Sequence, residues 1–349
     1  MCLNKVKRIN GHDQWSDWGA FSNCSNLRIV ILSDCVEYLQ KGAFYNCTQL
    51  ETIKLPTVIP PELGLSAFPT TCSIYVPDES VEDYKNATNW CNYADQIMPF
   101  SSKYIKFADP VVEQICMKWS SDGVGLTRED AAKVTIGQTF RNNTEITSFD
   151  ELEYFISSYN LYFSFNGCIN LRSVVLSGMD NLYLNSTFNG CSSLTAITIP
   201  EGVTSIGNSA FNGCSSLTAI TIPDSVTSIE NYAFSKTSSL TEVVIGDNSE
   251  LRSIGGRAFQ DSALKELTLP KYIESIADLA FYFCRSLYIV ECHAVVPPTI
   301  GSSTFYGTPS TMSIYVPDGS VKAYKEATNW SVYADRIKSL EEYVEPTTE

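Results

Sequence analysis

The feature that most constrains this chain is an internal repeat with a step of 23 residues. The stretches STFNGCSSLTAITIPEGVTSIGN, from Ser186, and SAFNGCSSLTAITIPDSVTSIEN, from Ser209, are nearly identical. Seven copies align on one Phe each, with steps of 23, 23, 23, 25, 22 and 24 residues. A period of this length indicates that each copy is one structural unit of a repeat architecture. The anchors are Phe165, Phe188, Phe211, Phe234, Phe259, Phe281 and Phe305.

Apolar residues recur at fixed distances from each anchor. A Leu follows six residues after most anchors, as at Leu194, but Leu264 comes one residue early. Further apolar residues stand three and five positions past the Leu, as at Ile197 and Ile199, which is the alternation of a half-buried strand. One such coil cannot bury its own faces, so neighbouring coils must share a core. The pattern predicts a leucine-rich-repeat-type β-solenoid of short parallel strands and loops, with helical caps.

The repeat also resembles a known family. The signature AFNGCSSLTAITIPDSVTSIENYAF is similar to the BspA-like leucine-rich repeats, which occur in many bacterial surface proteins. The resemblance covers most of the chain and is far more specific for the fold than for a ligand. It implies a binding or adhesion protein at the cell surface or secreted, although no signal peptide is visible in Met1–Asn10.

A duplicated tail indicates two tandem modules. SIYVPDESVEDYKNATNWCNYADQIM, from Ser73, and SIYVPDGSVKAYKEATNWSVYADRIK, from Ser313, agree at 18 of 26 positions. Each is predicted to form a last strand and then a helix, over residues 81–90 and 321–330, and to cap the open core of an array. The first array, anchored at Phe21, Phe44 and Phe68, shows no N-terminal cap, so we expect it to be the tail of a longer array.

The expected boundaries follow from these tails. Residues 1–100 are predicted to be the C-terminal part of a short leucine-rich repeat array, with its cap at about 58–100. The second module is predicted to consist of a helical N-terminal cap at 101–160, leucine-rich repeats at 161–293, a C-terminal cap at 294–340 and an acidic tail at 341–349.

The segment 101–160 breaks the repeat and carries helix signals. One helix is predicted from Val111 to Trp119, after Pro110. A second is predicted from Thr127 to Val134, with Thr127 as its N-cap and an acid three residues later. Between them, residues 119–126 fit a calcium loop poorly because Asp122 is the sole acid, so a plain turn is favoured.

The cysteines follow the repeat as well. Cys168, Cys191 and Cys214 are 23 residues apart, and Cys24 and Cys47 share that step. One cysteine slot per coil favours buried thiols, because free Cys behaves as a small hydrophobe. Disulfides between stacked coils remain the alternative.

Candidate catalytic and cofactor chemistry is sparse. The histidines are His12 and His293, and Cys292 next to His293 should point to the opposite face of a strand. We expect no catalytic residues, no metal site and no cofactor. A net charge of −15 disfavours nucleic acid as a partner, and no apolar run has the length of a membrane span.

The outward face of the strands is the candidate binding surface, because solenoids commonly bind partners there. The alternative is that these residues merely supply β-propensity. We expect a monomer that binds a protein, with host matrix proteins and glycans as candidate partners; a structural spacer or scaffold is the alternative function. The candidate ligand-binding residues are Thr198, Thr221, Glu242, Val244, Glu266, Thr268 and Glu291.

Overall fold

The computed structural model describes residues 2–3, 8–9, 19–155, 161–162, 164–176, 179 and 182–343. His12, residues 156–160 of the predicted cap and residues 344–349 of the acidic tail lie outside this part. Contacts divide the chain into two compact units. Unit 1 comprises Met1–Lys106 and Glu113–Ala131, and unit 2 comprises Phe107–Val112 and Ala132–Glu349.

Unit 1 contains two parallel sheets. Strands β1, β3, β5, β7 and β8 form a five-stranded sheet, and β2, β4 and β6 form a three-stranded one. The strands are β1 Cys2–Leu3, β2 Arg8–Ile9, β3 Ile29–Leu32, β4 Tyr38–Leu39, β5 Thr52–Lys54, β6 Glu62–Leu63, β7 Ser73–Val76 and β8 Ile97–Pro99.

Unit 2 repeats this arrangement with more coils. Its strands are β9 Ser148–Phe149, β10 Ser173–Val174, β11 Ser205–Ile206, β12 Ala219–Ile222, β13 Ser228–Ile229, β14 Glu242–Ile245, β15 Ser253–Ile254, β16 Glu266–Leu269, β17 Ser275–Ile276, β18 Ile289–Cys292, β19 Thr299–Ile300, β20 Ser313–Val316 and β21 Ile337–Ser339. The odd strands β11 to β19 form one parallel sheet, and the other pairings are β9–β10, β12–β14 and β16–β18–β20–β21. Most coils therefore contribute one strand to each of two faces, as expected of a leucine-rich-repeat solenoid.

The anchor phenylalanines form a continuous column in the interior of unit 2. From Phe165 to Phe305 successive rings are stacked, with centroids 5.3 to 5.5 Å apart and interplanar angles of 3° to 10°. The backbone is laddered here too, since the N–H of Phe211 donates to the carbonyl of Ala233 at 2.8 Å, one coil further on. Unit 1 has a shorter column of Phe21, Phe44 and Phe68. The anchors thus lie in a shared dry core, as predicted.

Strand alternation is confirmed where strands form. In β12 and β16 the residues alternate between exposed and buried, so that Ile220, Ile222, Leu267 and Leu269 face the core. The copy at 195–199 departs from the prediction, because it carries no strand and Ile197 is half-buried. Ile199 is still buried. The identical TAITI residues form β12 one coil later, so pairing with a neighbouring coil, and not the local sequence, decides whether the strand forms.

The two duplicated tails fold alike. The helices are shorter than predicted: α1 is Val81–Asn86 and α4 is Val321–Glu326, each followed by a 3-10 segment, Trp90–Gln96 and Trp330–Arg336. The helix stops because Ala327 takes an extended conformation, with ψ 147°, and its N–H donates to the carbonyl of Tyr324. Asn329, with left-handed backbone at φ 65°, begins the 3-10 segment, and its amide donates to the carbonyl of Ile300. Trp330 is then buried against Phe305, and its indole N–H donates to the carbonyl of Pro298 at 2.7 Å. The tail thereby covers the open end of the phenylalanine column.

The segment between the tails also has shorter helices than predicted. Helix α2 is Pro110–Cys116, with a 3-10 turn at Met117–Trp119, and α3 is Arg128–Ala132. The N-cap prediction is confirmed, because the backbone N–H of Asp130 donates to Thr127 Oγ1 at 3.0 Å. The Thr127 hydroxyl donates back to the Asp130 carboxylate at 2.8 Å. Among the helices that the structure describes, none is both long and apolar enough to cross a bilayer.

We expect Phe211→Ala to destabilise unit 2 by about 3–5 kcal/mol, because the ring packs between two others and its loss leaves a cavity. Urea unfolding followed by circular dichroism measures the change. Tyr183→Ala, at a side chain that is 65% exposed, is the control and should stay within about 0.5 kcal/mol. Equal shifts for both variants would contradict the stacked column.

A second prediction concerns the buried Asp109. Burial alone would raise the pKa of its carboxyl, but N–H groups of Thr147, Val111 and Ser148 and the Thr147 hydroxyl donate to it and hold the pKa below 3.8. Since the folded pKa is lowered, this carboxylate stabilises the fold above its ordinary pKa and the effect is lost as the pH falls below about 3.8.

Asp109→Asn should therefore cost about 1–3 kcal/mol at pH 7, because two accepting oxygens become one. Unfolding titrations of both proteins between pH 3 and pH 7 test this, and the gap between the two should narrow at the acid end. A gap that widens as the pH falls would refute the assignment.

Candidate functional site

The outward side chains of the strands form rows across the coils of unit 2. The registers place Thr221 beside Val244, and Thr268 beside Glu291. The row continues from Glu291 to Tyr315 on β20 and to Lys338 on β21. The structure therefore puts most of the predicted residues on one face.

The sheet on this face is interrupted between β14 and β16. Strand β14 pairs with β12 and β16 pairs with β18, but no ladder joins β14 to β16 among the described strands. The interruption coincides with the irregular steps of 25 and 22 residues around Phe259 and with the early Leu264. The coil that ends in β16 is thus built differently between its anchor and its strand, and it does not continue the hydrogen-bonding register of the strand before it.

A groove opens at this interruption. It has a volume of about 490 Å³, and its walls are residues 241–245 on one side and 265–268 on the other. Four predicted residues meet there: Glu242, Val244, Glu266 and Thr268. All four are exposed, and within the described part of the chain neither glutamate has an ion-pair partner. The groove therefore presents two carboxylates that form no ion pair in the described part of the chain, beside a valine and the ammonium-bearing Lys265.

The face changes character towards the C-terminal cap. Glu291 is half-buried, and its carboxylate lies 3.5 Å from Nε2 of His293. Beyond it, the ammonium of Lys338 lies 5.7 Å from the centre of the Tyr315 ring and donates to Ser313 Oγ at 3.1 Å. At this end the polar side chains are therefore paired with one another and do not line an open groove.

The sequence prediction and the structure differ in what they place together. Thr198 is exposed, but it lies in the segment without a strand, so no described ladder joins it to the rest of the row. Lys265 and Thr241 line the groove and were not among the predicted residues. The repeat itself was the available signal, since Thr241 and Lys265 both follow the repeat Leu and directly precede their strands, β14 and β16.

The cysteine column is structural. The thiol of Cys191 donates to the carbonyl of Phe165 at 3.1 Å, and Cys168 and Cys214 make the same contact one coil away. Burial raises the pKa of the Cys168 thiol to about 12 and that of Cys284 to about 11. The described cysteines are free, and Cys24, against expectation, is exposed.

The other candidate sites, the Cys292–His293 pair and the turn at residues 119–126, have structural contacts. The Cys292 thiol is buried against the Tyr324 hydroxyl at 3.2 Å, while His293 is exposed, so the two point apart. Asp122 accepts from Lys103 Nζ at 3.1 Å and from the Tyr104 hydroxyl at 3.0 Å, which makes residues 119–126 a braced turn. No group of three metal-ligating side chains occurs among the residues described.

The class defined by this geometry is a leucine-rich-repeat solenoid, and comparison with known proteins gives the family. The profile of the BspA type leucine rich repeat region matches in six copies, over residues 4–94, 134–241 and 204–331. The chain belongs to this family. The match indicates no catalytic family, and no curated protein matches the sequence.

Solved leucine-rich-repeat structures are also similar to this chain. A T. pallidum leucine rich repeat protein is 35% identical over 34% of this chain and 57% of its own, with a TM-score of 0.32. A leucine-rich repeat protein from Bacteroides ovatus is 17% identical over 97% of this chain and 92% of its own, with a TM-score of 0.41. A leucine rich cell surface protein from Faecalibacterium prausnitzii is 19% identical over 89% of this chain and 88% of its own, with a TM-score of 0.27.

The thiol environments predict selective alkylation. At pH 8, iodoacetamide should modify the exposed Cys24 and Cys91 quickly and leave Cys191 and Cys214 unmodified until the chain is unfolded. The reason is that burial raises the pKa of both interior thiols and so removes the reactive thiolate. Peptide mass spectrometry with and without urea measures this, and equal native labelling of Cys191 and Cys24 would contradict it.

Proposed function

We propose that this chain is a non-catalytic binding and adhesion module that recognises a protein through the outward sheet face of unit 2. The groove between β14 and β16 is the centre of the proposed site. The proposed site residues are Thr198, Thr221, Glu242, Val244, Glu266, Thr268 and Glu291. A location at the cell surface or among secreted proteins is part of the proposal, and membership of a family of bacterial surface repeats supports it. The domain boundaries drawn from the sequence stay predictions.

The observation that carries the proposal is the convergence of Glu242, Val244, Glu266 and Thr268 in one groove. The core explains the inward residues of each coil, but it does not require carboxylates or an interrupted ladder on the outer face. Strand edges without ladder partners offer backbone groups to a bound chain. The groove therefore combines backbone, apolar and charged contacts in one place.

Charge indicates what kind of protein surface would fit. Two carboxylates without cation partners in the described part favour a Lys- or Arg-bearing segment, and the net charge of −15 would speed its approach. Host matrix proteins are the candidate partners because the repeat family occurs in bacterial surface proteins, and the groove charge directs attention to their basic segments.

The test is a surface plasmon resonance titration of the full chain against purified matrix proteins, including fibronectin and collagen. If one binds, Glu242→Lys/Glu266→Lys should weaken it at least tenfold, because like charges then face the basic segment. Glu145→Lys/Glu201→Lys is the matched control, since it makes the same charge change at two exposed residues off this face.

Equal losses in both double variants would show a non-specific charge effect and would count against the groove. Binding to none of the matrix proteins would oppose the proposal and favour the alternative of a structural spacer. If the chain is a spacer, removing coils should impair the function of the surface protein that contains it. Substitutions on the outer face should leave that function unchanged. Sedimentation of the same samples tests the expected monomer.

A further inference from the structure

A second groove lies in unit 1, away from any residue assigned above. It has a volume of about 580 Å³, within the roughly 300–1,000 Å³ that is usual for small-molecule sites. Phe68 and Tyr93 are buried at its base, while Leu65 is 57% and Tyr45 is 42% exposed along its walls. The groove thus has an apolar base and one accessible aromatic ring.

The polar side chains that line this groove in the described part of the chain are all neutral. No Asp, Glu, Lys, Arg or His is among the described lining residues. Six hydroxyl and amide side chains surround the base: Asn46, Thr48, Ser66, Thr70, Thr71 and Asn92. Such a lining favours a ligand that is uncharged and rich in hydrogen-bonding groups.

Much of this hydrogen-bonding capacity is unused by the protein. No hydrogen bond within the described part of the chain engages the hydroxyls of Thr48, Ser66 or Thr71. The amide N–H groups of Asn46 and Asn92 donate to Asn23 Oδ1 at 2.7 Å and to the carbonyl of Asn89 at 3.1 Å. These bonds fix the amide orientations and leave both side-chain oxygens to accept from a ligand.

The same position in unit 2 is filled. The residue two after the anchor is Asn46 in unit 1 and Phe283 in unit 2, and both have left-handed backbone with φ of 58° and 55°. The Phe283 ring lies so close to Gly307 that a Cβ there would sit 2.2 Å from its Cδ1. The link from the last anchor to the next strand is also three residues shorter in unit 1, where it runs from Phe68 to Ser73. Unit 1 thus lacks two features that fill the equivalent space.

We infer that this groove of unit 1 binds a neutral oligosaccharide. The apolar face of a sugar ring would stack on Tyr45, and its hydroxyls would pair with the side chains of Asn46, Thr48, Thr70, Thr71 and Asn92. The inference concerns a different unit from the proposed protein-binding groove and stands independently of it.

The test uses the full chain with chitohexaose, cellohexaose, maltohexaose and mannohexaose, and a heparin hexasaccharide as an acidic comparison. Saturation-transfer NMR detects binding and calorimetry gives the affinity. At least one neutral hexasaccharide should bind. Asn46→Phe, which places in unit 1 the ring that fills unit 2, and Tyr45→Ala should each weaken it at least tenfold.

Tyr272→Ala, at a 49% exposed tyrosine of unit 2, is the matched control and should change the affinity less than twofold. Should Asn46→Phe fail to fold, Thr70→Val/Thr71→Val removes two hydroxyls while keeping the side-chain shape, and it should also weaken binding. The inference is overturned if no neutral hexasaccharide binds, or if the heparin hexasaccharide binds more tightly than all the neutral ones. It is also overturned if Tyr272→Ala lowers the affinity for the neutral hexasaccharide as much as Tyr45→Ala does. Matrix-protein binding should be unchanged in all these variants.

Discussion

Stacking of one coil on the next is the interaction on which the rest of the structure depends. A coil of about 23 residues has no interior of its own, so its Phe, Leu and Ile side chains are buried only by its neighbours. The rings of Phe188 and Phe211, 5.4 Å apart and nearly parallel, show how closely this requirement is met. The cysteine column follows from the same constraint, because each interior thiol reaches a carbonyl of the coil before it. Burial of this kind keeps the thiols protonated, so their role is to pack the core and not to react.

The constraint also explains where a site can form. The step length alone does not decide whether outer strands pair, since the copy at 195–199 has a regular step but no strand, and β18 pairs with β20 across a step of 24 residues. Around Phe259 the step lengthens to 25 residues and then shortens to 22, and the core accepts this because the Phe rings on either side still stack. On the outer face, no described hydrogen-bond ladder joins β14 to β16, and a groove lies between the two strands. An irregular repeat thus preserves the interior while it opens the surface.

The sequence could predict the features that repeat and was weak on those that do not. Periodicity identified the anchors and the inward strand positions, and the capping-box spacing identified the N-cap at Thr127, because each is a local pattern with one physical meaning. The helix ends were misplaced, since nothing in the pattern revealed the extended Ala327 at which α4 stops. The strand at 195–199 was predicted from letters that form β12 elsewhere, and only pairing between coils separates the two cases. The groove residues were predicted to face outward and are exposed, but their convergence depends on a missing ladder that no single coil encodes.

The two units show how the same core can carry different surfaces. Trp90 and Trp330 donate to equivalent carbonyls, of Pro61 and Pro298, both at 2.7 Å, so the ends of both cores are closed in the same way. The turns nearby are not equivalent, because Asn46 leaves open the space that Phe283 fills. Stacking fixes the inward positions and leaves these outer ones free to vary without loss of the core. Differences between the duplicated units therefore mark the residues that the fold does not need, and those are the positions where recognition can be built.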